Sequence, residues 1–523
     1  MVTAETVYGT IKGKKKDGML VFRGIPYAKP PVGDLRFRPP VEPKHWEGIK
    51  DCTKFGAPSL QLFSTDHVRR PELLDIASED CLYLNVSTPA FRKAGSDGHG
   101  NPDNDIVPDE NAGLPVYVFI HGGAFETGGS NMSLYRGEKF AQNGIVYVNI
   151  NYRLGIMGFF ALEEFKKESG YTGCFGILDA LSALKWVKKN ISRFGGDPEN
   201  ITVGGESAGA YTVSVLMMMK EAKGLFKRCI LESGSITGIS RIAKYGHGNP
   251  MILAKGSLEA ALDLGADDSA KGVETLRKMP AEKLTLMWTF RPDGSARGLR
   301  TDPVLAGLIS EDDIIPNPMK GYINDVDLLF GFNTDEGTLF APPDASKQDY
   351  LDYLNELGED LADEIYAKYP VDENHTAYER YADLIGLEMF KSSMLPYADR
   401  LAHEGKKVYG YHFNHMTDVL RAEGFGCRHI AELNFVFNKD LKFVGGDNED
   451  GAALADFMNQ AWCGFIKNGD PGSRWTAYSA ENPQVMRLEY SAKQGKKPAC
   501  CPLPREEEMR YFQDIIIGKY NGR

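Results

Sequence analysis

Residues 205–209, Gly-Glu-Ser-Ala-Gly, hold the serine whose neighbours are most typical of a catalytic nucleophile. The pattern G-x-S-x-G predicts a sharp turn from a strand into a helix, with Ser207 raised out of the sheet above the helix N-terminus. Glycine suits both ends of this turn, because a side chain at Gly205 or Gly209 would clash across it. Ser207 is therefore a candidate nucleophile for acyl transfer. A turn serine without any chemistry is the alternative, since the pentapeptide alone does not decide.

Residues 121–125, His-Gly-Gly-Ala-Phe, follow an apolar run and are a candidate for binding the negative charge that acyl transfer creates. Small residues in such a loop allow backbone N–H groups to turn toward a substrate oxygen. In an enzyme with this type of elbow, one donor is the residue after the serine, here Ala208, and another comes from a Gly-rich loop after an earlier strand. The alternative interpretation is a plain Gly-Gly turn.

A carboxylate that holds the catalytic base is expected after the serine and before the histidine. Asp335 and Glu336 follow an apolar strand-like run, so they lie where a strand-end loop would reach an active face. The residues themselves do not choose between the two carboxylates. A solvated loop acid with no catalytic role is the alternative.

The base is expected among the histidines that follow the acid. Five of the ten histidines meet this condition: His375, His403, His412, His415 and His429. His412 and His415 lie on or just after a predicted strand and are interpreted as packing residues. His429 lies in a loop containing glycine and arginine, and because loops carry catalytic residues more often than strand interiors do, the position favours His429.

Apolar, β-rich runs alternate with stretches of helical spacing, which predicts a mostly parallel sheet with helices on both faces. The predicted strands cover residues 115–120, 144–150, 200–203, 326–332 and 408–413, and the predicted helices cover residues 179–190 and 208–219. A turn is predicted at 195–198 and a solvated surface loop at 94–113. Helical patterns dominate between about residues 248 and 401, which indicates an elaboration over the sheet.

Composition narrows the range of partners. The 523-residue chain carries a net charge of −12, which argues against nucleic acid or an anionic membrane as the main partner. No apolar run approaches the ~18 residues of a membrane span, and no signal peptide is visible, so a cytoplasmic location is expected. The eight cysteines have no C-x-x-C spacing, which favours free thiols in a reducing compartment. No zincin or P-loop pattern is present, and the acidic residues 447–450 are interpreted as a solvated loop or helix cap rather than a calcium site.

Several segments together resemble the type-B carboxylesterase family, which includes the cholinesterases and bacterial p-nitrobenzyl esterase-like enzymes. The resemblance spans nearly the whole chain, and residues 79–86 (EDCLYLNV) match a family signature without a change. The other matching segments are residues 22–28 and 39–40, 151–155 (NYRLG), 194–209 (FGGDPENITVGGESAG) and 462–471 (WCGFIKNGDP).

The resemblance implies the α/β-hydrolase fold as a single domain over residues 1–523, with helical insertions around 248–401. It also implies hydrolysis of small-molecule esters through an acyl-enzyme, without a metal or cofactor. The substrates are expected to be uncharged, short-chain or aryl esters. Carried over residue by residue, the nucleophile is Ser207, the acid is Glu336 and the base is His429. The oxyanion donors are Gly123, Ala124 and Ala208.

Further residues take their meaning from the same resemblance. Glu206 and Ser233 resemble family residues that support the histidine, and His415 matches a structural position. Cys81, which secreted relatives pair with an upstream cysteine, is expected to be unpaired. Three positions depart from the family pattern: Ile430 where many members have Gly or Ala, Cys174 in place of Asn, and Ala180 in place of Gln.

Competing functions stay open on the sequence. A lipase or a feruloyl-type esterase would share the same machinery, and a non-catalytic binding protein could share the fold. Glu126 follows the Gly-Gly loop and either places a negative charge near the site or points to solvent. The natural ester and the oligomeric state are not determined by the sequence.

Overall fold

The computed structural model describes residues 1–62, 71–94, 105–238, 250–293, 308 and 317–520. The chain divides into two units, one formed by residues 1–227 and 249–314 and the other by residues 228–248 and 315–523. Each unit contains its own set of paired strands with helices around them.

The first unit is built on strands in the spatial order β10-β8-β9-β5-β3-β2-β1-β7-β6, with β4 paired to β2. Strands β10, β8 and β9 are parallel, whereas β5, β3 and β2 continue the sheet in antiparallel pairs. The strands are β1 (Val2–Thr6), β2 (Gly9–Lys16), β3 (Met19–Pro26), β4 (Ile49–Asp51), β5 (Tyr83–Thr88), β6 (Phe91–Lys93), β7 (Ile106–Pro108), β8 (Leu114–Ile120), β9 (Val146–Ile150) and β10 (Gly196–Glu206).

Burial explains why the centre of this sheet is parallel. All residues of β8 from Val116 to Ile120 are fully buried, which is the pattern of a strand covered on both faces. The helix after β10 is buried along its whole length, as its nearly uninterrupted apolar sequence predicts. The helices of this unit are α1 (Pro71–Leu74), α2 (Glu138–Gln142), α3 (Gly155–Phe159), α4 (Glu163–Ser169), α5 (Phe175–Asn190), α6 (Ala208–Met218), α7 (Pro250–Asp263), α8 (Ala270–Lys278) and α9 (Ala281–Thr289), with 3-10 turns at Gly33–Leu35, Ile191–Phe194 and Lys220–Ala222.

Two local predictions in this unit were wrong. The turn predicted at 195–198 is mostly strand, because β10 begins at Gly196 and the extra residues are taken up by a shift of register between Gly196 and Ile201. Part of the loop predicted at 94–113 is also strand, since β7 pairs with β1 and β6. Residues 95–104 of that loop lie outside the described part of the chain.

The second unit is built on five strands in the order β15-β14-β13-β12-β11. Strands β11 to β14 are parallel, and β15 closes the edge in an antiparallel pair with β14. The strands are β11 (Arg228–Glu232), β12 (Asp327–Asn333), β13 (Val408–Phe413), β14 (Gln484–Leu488) and β15 (Ala499–Pro502). The parallel pairing puts the carboxyl ends of β11, β12 and β13 at one edge of this sheet.

The helices of the second unit include much of the helical region expected from the sequence. They are α10 (Lys347–Leu357), α11 (Glu359–Lys368), α12 (Ala377–Ile385), α13 (Leu395–His403), α14 (Asp418–Glu423), α15 (Leu433–Val436), α16 (Glu449–Asn468) and α17 (Glu506–Tyr520), with 3-10 turns at Glu336–Leu339, Ser392–Met394 and Leu441–Val444 and a π-helical turn at Gly386–Lys391. The acidic segment 447–450 contains the N-cap of α16, where the Asn448 side chain accepts the Gly451 N–H at 2.8 Å. This confirms its interpretation as a helix cap.

Candidate active site

Ser207 lies at the junction of β10 and α6 in a backbone conformation that L-residues rarely adopt, with φ of 55° and ψ of −124°. Two close approaches explain the glycines on either side. A Cβ at Gly205 would lie 2.5 Å from the carbonyl carbon of Gly209, and a Cβ at Gly209 would lie 2.0 Å from the carbonyl oxygen of Ile120. The strand-to-helix turn is therefore the strained elbow that the pentapeptide predicts.

The register of β8 and β10 brings the Gly-Gly loop beside the elbow. Gly205 pairs with Ile120, so both strands end at the same level of the sheet. A Cβ at Gly122 would lie 3.1 Å from the Cβ of Ser207, which shows how closely the loop passes the serine. Chain segments far apart in sequence meet here because parallel strands place their carboxyl ends together.

The loop has a tight, left-handed course. Gly123 has a φ of 109°, and a Cβ there would lie 2.0 Å from the Thr127 carbonyl oxygen, so only glycine fits without a shift. Ala124 follows with a φ of 55°. In the described part of the chain, the N–H groups of Gly123, Ala124 and Ala208 make no hydrogen bond to protein, which leaves all three able to donate to a substrate oxygen.

His121 anchors the start of this loop. Its Nδ1 lies 2.8 Å from the carbonyl oxygen of Gly122, and its ring stacks on Tyr152 at a centroid distance of 4.7 Å. Burial lowers the pKa of His121 to about 4, so the neutral ring donates Nδ1–H to that carbonyl. Glu126 is partly exposed, and its backbone N–H donates to the Gly123 carbonyl at 3.0 Å.

Glu336 and His429 form a buried acid–base pair in the second unit. The Nδ1 atom of His429 lies 2.5 Å from Oε2 of Glu336, and the exposed fractions of the two side chains are 7% and 0%. The other carboxylate oxygen, Oε1, accepts the backbone N–H of Asn333 at 2.7 Å. The carboxylate thereby fixes the imidazole with Nδ1 as donor, which leaves Nε2 as the atom able to accept a proton.

The two neighbouring carboxylates have different partners. Asp335 turns to the segment before His429, where its Oδ2 accepts the Cys427 N–H at 2.7 Å. A Cβ at Gly426 would lie 2.2 Å from the same oxygen, so the glycine allows the approach. Burial raises the pKa of Asp335, and the Cys427 hydrogen bond opposes that rise. Asp335 thus fastens the histidine loop, while Glu336 contacts the histidine itself.

The neighbouring strand histidines have partners of their own. His412 places Nε2 2.8 Å from Oγ1 of Thr334, and burial followed by the charges of Lys391 and Arg487 lowers its pKa to about 3. His415 packs against Phe413 and Phe435, and burial lowers its pKa. Both act as packing residues, as the sequence indicates.

Aromatic rings enclose the His429 side chain. The Phe390 and Phe340 ring centroids lie 4.6 Å and 5.2 Å from that of His429. Phe390 is buried, whereas 39% of Phe340 is exposed. Sequence reasoning missed both residues, because neither lies in a motif and their approach depends on how the 3-10 and π turns pack.

A second buried carboxylate lies behind the pair. Glu432 accepts hydrogen bonds from the Asn333 side chain and from the Ser233 hydroxyl, the latter at 3.3 Å. Ser233 has a φ of 61° and follows β11 directly. Asn333 therefore joins Glu336 to Glu432, and Ser233 contacts Glu432 in this network.

The family departures noted in the sequence have structural counterparts. Ile430 has a φ of 71° and Cys174 a φ of 61°, conformations that favour Gly and Asn respectively. Asp179, which precedes Ala180, makes a buried ion pair with Arg153 through bonds of 2.8 Å to Nε and 2.7 Å to Nη2. This bidentate ion pair joins the segment after β9 to α5.

The described residues contain no group of three or more His, Cys, Asp or Glu side chains arranged to hold a metal ion. Nor does any helix among them have the length and hydropathy needed to cross a membrane. All eight cysteines are free thiols, and burial raises the pKa of Cys81.

Comparison with known proteins shows the family to which this chain belongs. The chain matches the Carboxylesterase family over residues 1–501. It is 34% identical to the para-nitrobenzyl esterase of Bacillus subtilis (strain 168) over 504 residues, which cover 92% of this chain and 94% of that protein. It is 30% identical to the phenmedipham hydrolase of Pseudarthrobacter oxydans over 508 residues, with 92% and 94% covered. The chain therefore belongs to the carboxylesterase family.

Solved structures agree with the sequence relatives. A carboxylesterase of Geobacillus stearothermophilus superposes with a TM-score of 0.79 at 32% identity, covering 98% of this chain and all of that one. A PNB esterase gives a TM-score of 0.78 at 30% identity. The expectation of an α/β-hydrolase fold is confirmed, and the protein is a serine carboxylic-ester hydrolase that acts on small esters.

Proposed function

We propose that Ser207, His429 and Glu336 are the catalytic triad of this esterase, with Gly123, Ala124 and Ala208 as oxyanion donors. The buried 2.5 Å contact between His429 Nδ1 and Glu336 Oε2 carries this proposal, because it sets the tautomer that a general base needs. The elbow at Ser207 and the unoccupied N–H groups beside it support the other assignments.

The proposed reaction has two steps. His429 Nε2 takes the proton of Ser207 while Oγ bonds to the ester carbonyl carbon, and the carbonyl electrons move to the oxygen held by the three N–H groups. The tetrahedral intermediate collapses, the proton passes from His429 to the leaving alkoxide, and an acyl-enzyme is left. Water then repeats the sequence and releases the carboxylic acid, returning the proton to Ser207.

The substrates we propose are uncharged, short-chain or aryl esters. Aromatic rings beside His429 offer apolar contact to an aryl or alkyl group. One relative is named para-nitrobenzyl esterase, and the para-nitrobenzyl group contains an aromatic ring. Initial rates on p-nitrophenyl esters of increasing acyl length are expected to fall with chain length. Preference for long acyl chains at an oil interface would favour a lipase instead, and preference for hydroxycinnamoyl esters would favour a feruloyl-type esterase.

The nucleophile is tested by covalent labelling. The wild-type protein is expected to react with a fluorophosphonate probe, and Ser207→Ala is expected to lose both labelling and turnover of p-nitrophenyl acetate. Ser133→Ala, at an exposed serine of the same unit, is the matched control and should label normally. A wild-type protein that folds but neither labels nor turns over esters would indicate a non-catalytic binding protein. Labelling that survives in Ser207→Ala would mean another nucleophile.

We further propose that residues 1–523 act as one catalytic domain in the cytoplasm, with small-molecule esters rather than nucleic acid as partners. The family match over residues 1–501, the eight free thiols and the net charge of −12 support these points. A single calorimetric transition that coincides with loss of activity is expected. Two separated transitions would contradict the single domain, and recovery of the native protein outside the cytoplasmic fraction would contradict the location.

A further inference from the structure

Lys391 is a buried cation at the end of the π-helical turn Gly386–Lys391, and the proposed reaction gives it no role. Only 5% of the residue is exposed, and its Nζ donates to the backbone carbonyl of Thr334 at 2.8 Å. Burial of an ammonium group is costly unless charge and hydrogen bonds compensate it, and burial lowers the pKa of Lys391. Thr334 belongs to the segment that leads from β12 to Glu336.

Charged groups of both signs act on Lys391. Asp383 of α12 attracts it, but Arg505 holds both oxygens of Asp383, one of them at 2.9 Å, and repels Lys391. The remaining attraction comes from Glu336 and Asp335. Lys391 thus supplies positive charge on the side of the proposed catalytic acid.

Two consecutive side chains of the π turn, Phe390 and Lys391, lie beside the Glu336–His429 pair. Phe390 places its ring 4.6 Å from that of His429, and Lys391 reaches the backbone before Glu336. π-helical turns are rare and occur frequently at functional sites. The same turn therefore contacts the base through an aromatic ring and the segment of the acid through a cation.

We propose that Lys391 is a positioning residue for the Glu336–His429 pair, holding the segment that carries Glu336 and keeping the pair as a carboxylate and a neutral imidazole. This inference rests on the proposed triad. The neutral imidazole is the form that accepts the serine proton. A nearby positive charge stabilises a carboxylate and opposes a second positive charge on an imidazole, so both effects act in one direction.

The positive charge of Lys391 also acts on a second histidine. His412 of β13 and Lys391 both contact Thr334, and after burial the charge of Lys391 is the next largest cause that lowers the pKa of His412. The titratable and charged groups that act on Lys391 thus come from β13, from the segment after β12, from α12 and from the residues before α17. Among these, Glu336 is the group that contacts His429.

The test compares the pH dependence of kcat/KM on p-nitrophenyl acetate for the wild type, Lys391→Gln, Lys391→Met and Lys391→Arg. Removing the charge in Lys391→Gln is expected to move the acid-limb midpoint upward by about 0.5–1 unit, less than the shift that direct ionic contact produces. At acid pH this lowers kcat/KM about three- to tenfold, and it leaves the plateau nearly unchanged. Lys391→Arg is expected to restore the wild-type midpoint. Lys391→Met, which also loses the donor to Thr334, is expected to lower the plateau as well.

Lys368→Gln is the matched control, because this lysine is exposed in the same unit and its loss should not move the profile. The rate of fluorophosphonate labelling against pH gives the same midpoint without acyl-enzyme hydrolysis. A merely structural lysine would lower the rate at every pH without moving the midpoint, and that result in any folded neutral variant would overturn the proposal. If Ser207→Ala keeps its turnover, the triad itself fails. An unmoved midpoint with an inactive Ser207→Ala overturns only the role of Lys391.

Discussion

Asp335 and Glu336 show how adjacent residues of the same chemical type acquire different roles. The 3-10 turn that begins at Glu336 directs its carboxylate to His429, while Asp335 accepts a backbone N–H from Cys427. Gly337 makes this possible, since a Cβ there would lie 1.8 Å from the Ala382 carbonyl oxygen. Substituting each carboxylate in turn distinguishes the two roles.

Glu336→Gln is expected to lower kcat by on the order of 10³–10⁴, because an amide cannot stabilise the imidazolium and favours the wrong tautomer. Asp335→Asn keeps an oxygen acceptor for Cys427 and is expected to lose less than about tenfold. Steady-state kinetics on p-nitrophenyl acetate measure both variants. Equal, mild losses would show that neither carboxylate is the triad acid.

The left-handed backbone at Ile430 affects the stability of the folded protein. Its φ of 71° is costly for a β-branched side chain and is readily adopted by glycine. We expect Ile430→Gly to be more stable than Ile430→Ala by about 1 kcal/mol, which reverses the usual order of the two residues. Chemical denaturation measures the difference. Asp352, inside α10, is the control, where the Ala variant should be the more stable one. The usual order at Ile430 would mean that the loop relaxes.

At the scale of elements, the proposed catalytic residues follow strand ends. The register of β8 with β10 brings the Gly-Gly loop beside Ser207, and the parallel β12 and β13 bring Glu336 and the segment after Phe413 to one edge. The helix α6 packs so closely against β8 that a Cβ at Gly209 would lie 2.0 Å from the Ile120 carbonyl oxygen. The packing of this helix thus depends on the absence of one side chain.

Gly209→Ala is expected to destabilise the protein by about 3 kcal/mol or more, because its Cβ would lie 2.0 Å from the Ile120 oxygen and the helix must move. The movement would also misplace Ser207 and lower the rate of fluorophosphonate labelling. Gly224→Ala is the control, because nothing lies within 4 Å of the new Cβ and only the left-handed backbone, with a φ of 75°, costs about 1 kcal/mol. Thermal unfolding of both variants measures the effect, and similar midpoints would contradict the tight packing.

At the scale of the whole molecule, buried neutral histidines link stability to pH. The pKa of His121 is lowered to about 4 and that of His412 to about 3, chiefly by burial. In the unfolded chain each imidazole binds a proton near pH 6.5. Below that pH the unfolded state binds more protons than the folded state, so the free energy of unfolding falls as the pH falls.

We expect stability from these two groups to be fully present above about pH 6.5 and to decline toward pH 4, by at most about 1.4 kcal/mol per pH unit for each histidine. Guanidinium unfolding at pH 7, 5.5 and 4.5 measures the slope. His412→Gln is expected to reduce the slope, whereas His375→Gln, at a side chain that is 44% exposed, should leave it unchanged. A slope that is the same in both variants would show that His412 is protonated in the folded state.

The sequence by itself determined what depends on neighbouring residues. The elbow around Ser207, the Gly-Gly loop and the apolar strands follow from local sterics and from periods of two and 3.6 residues. The strand at Val408–Phe413 and the helix after Ser207 were predicted nearly to the residue. The extension of β10 through residues 196–199 was not, because a shift of register overrides the turn preference of glycine and proline.

Only the tertiary structure decided which distant side chains meet. The residues alone left Asp335 and Glu336 open, and the family resemblance chose Glu336, whose carboxylate the fold directs to His429. Lys391 and Phe390 had no signal in the sequence, because their contacts depend on the direction of side chains from a π turn packed against another strand end. Such contacts join residues far apart in the chain, so the local periodicity of the sequence does not predict them.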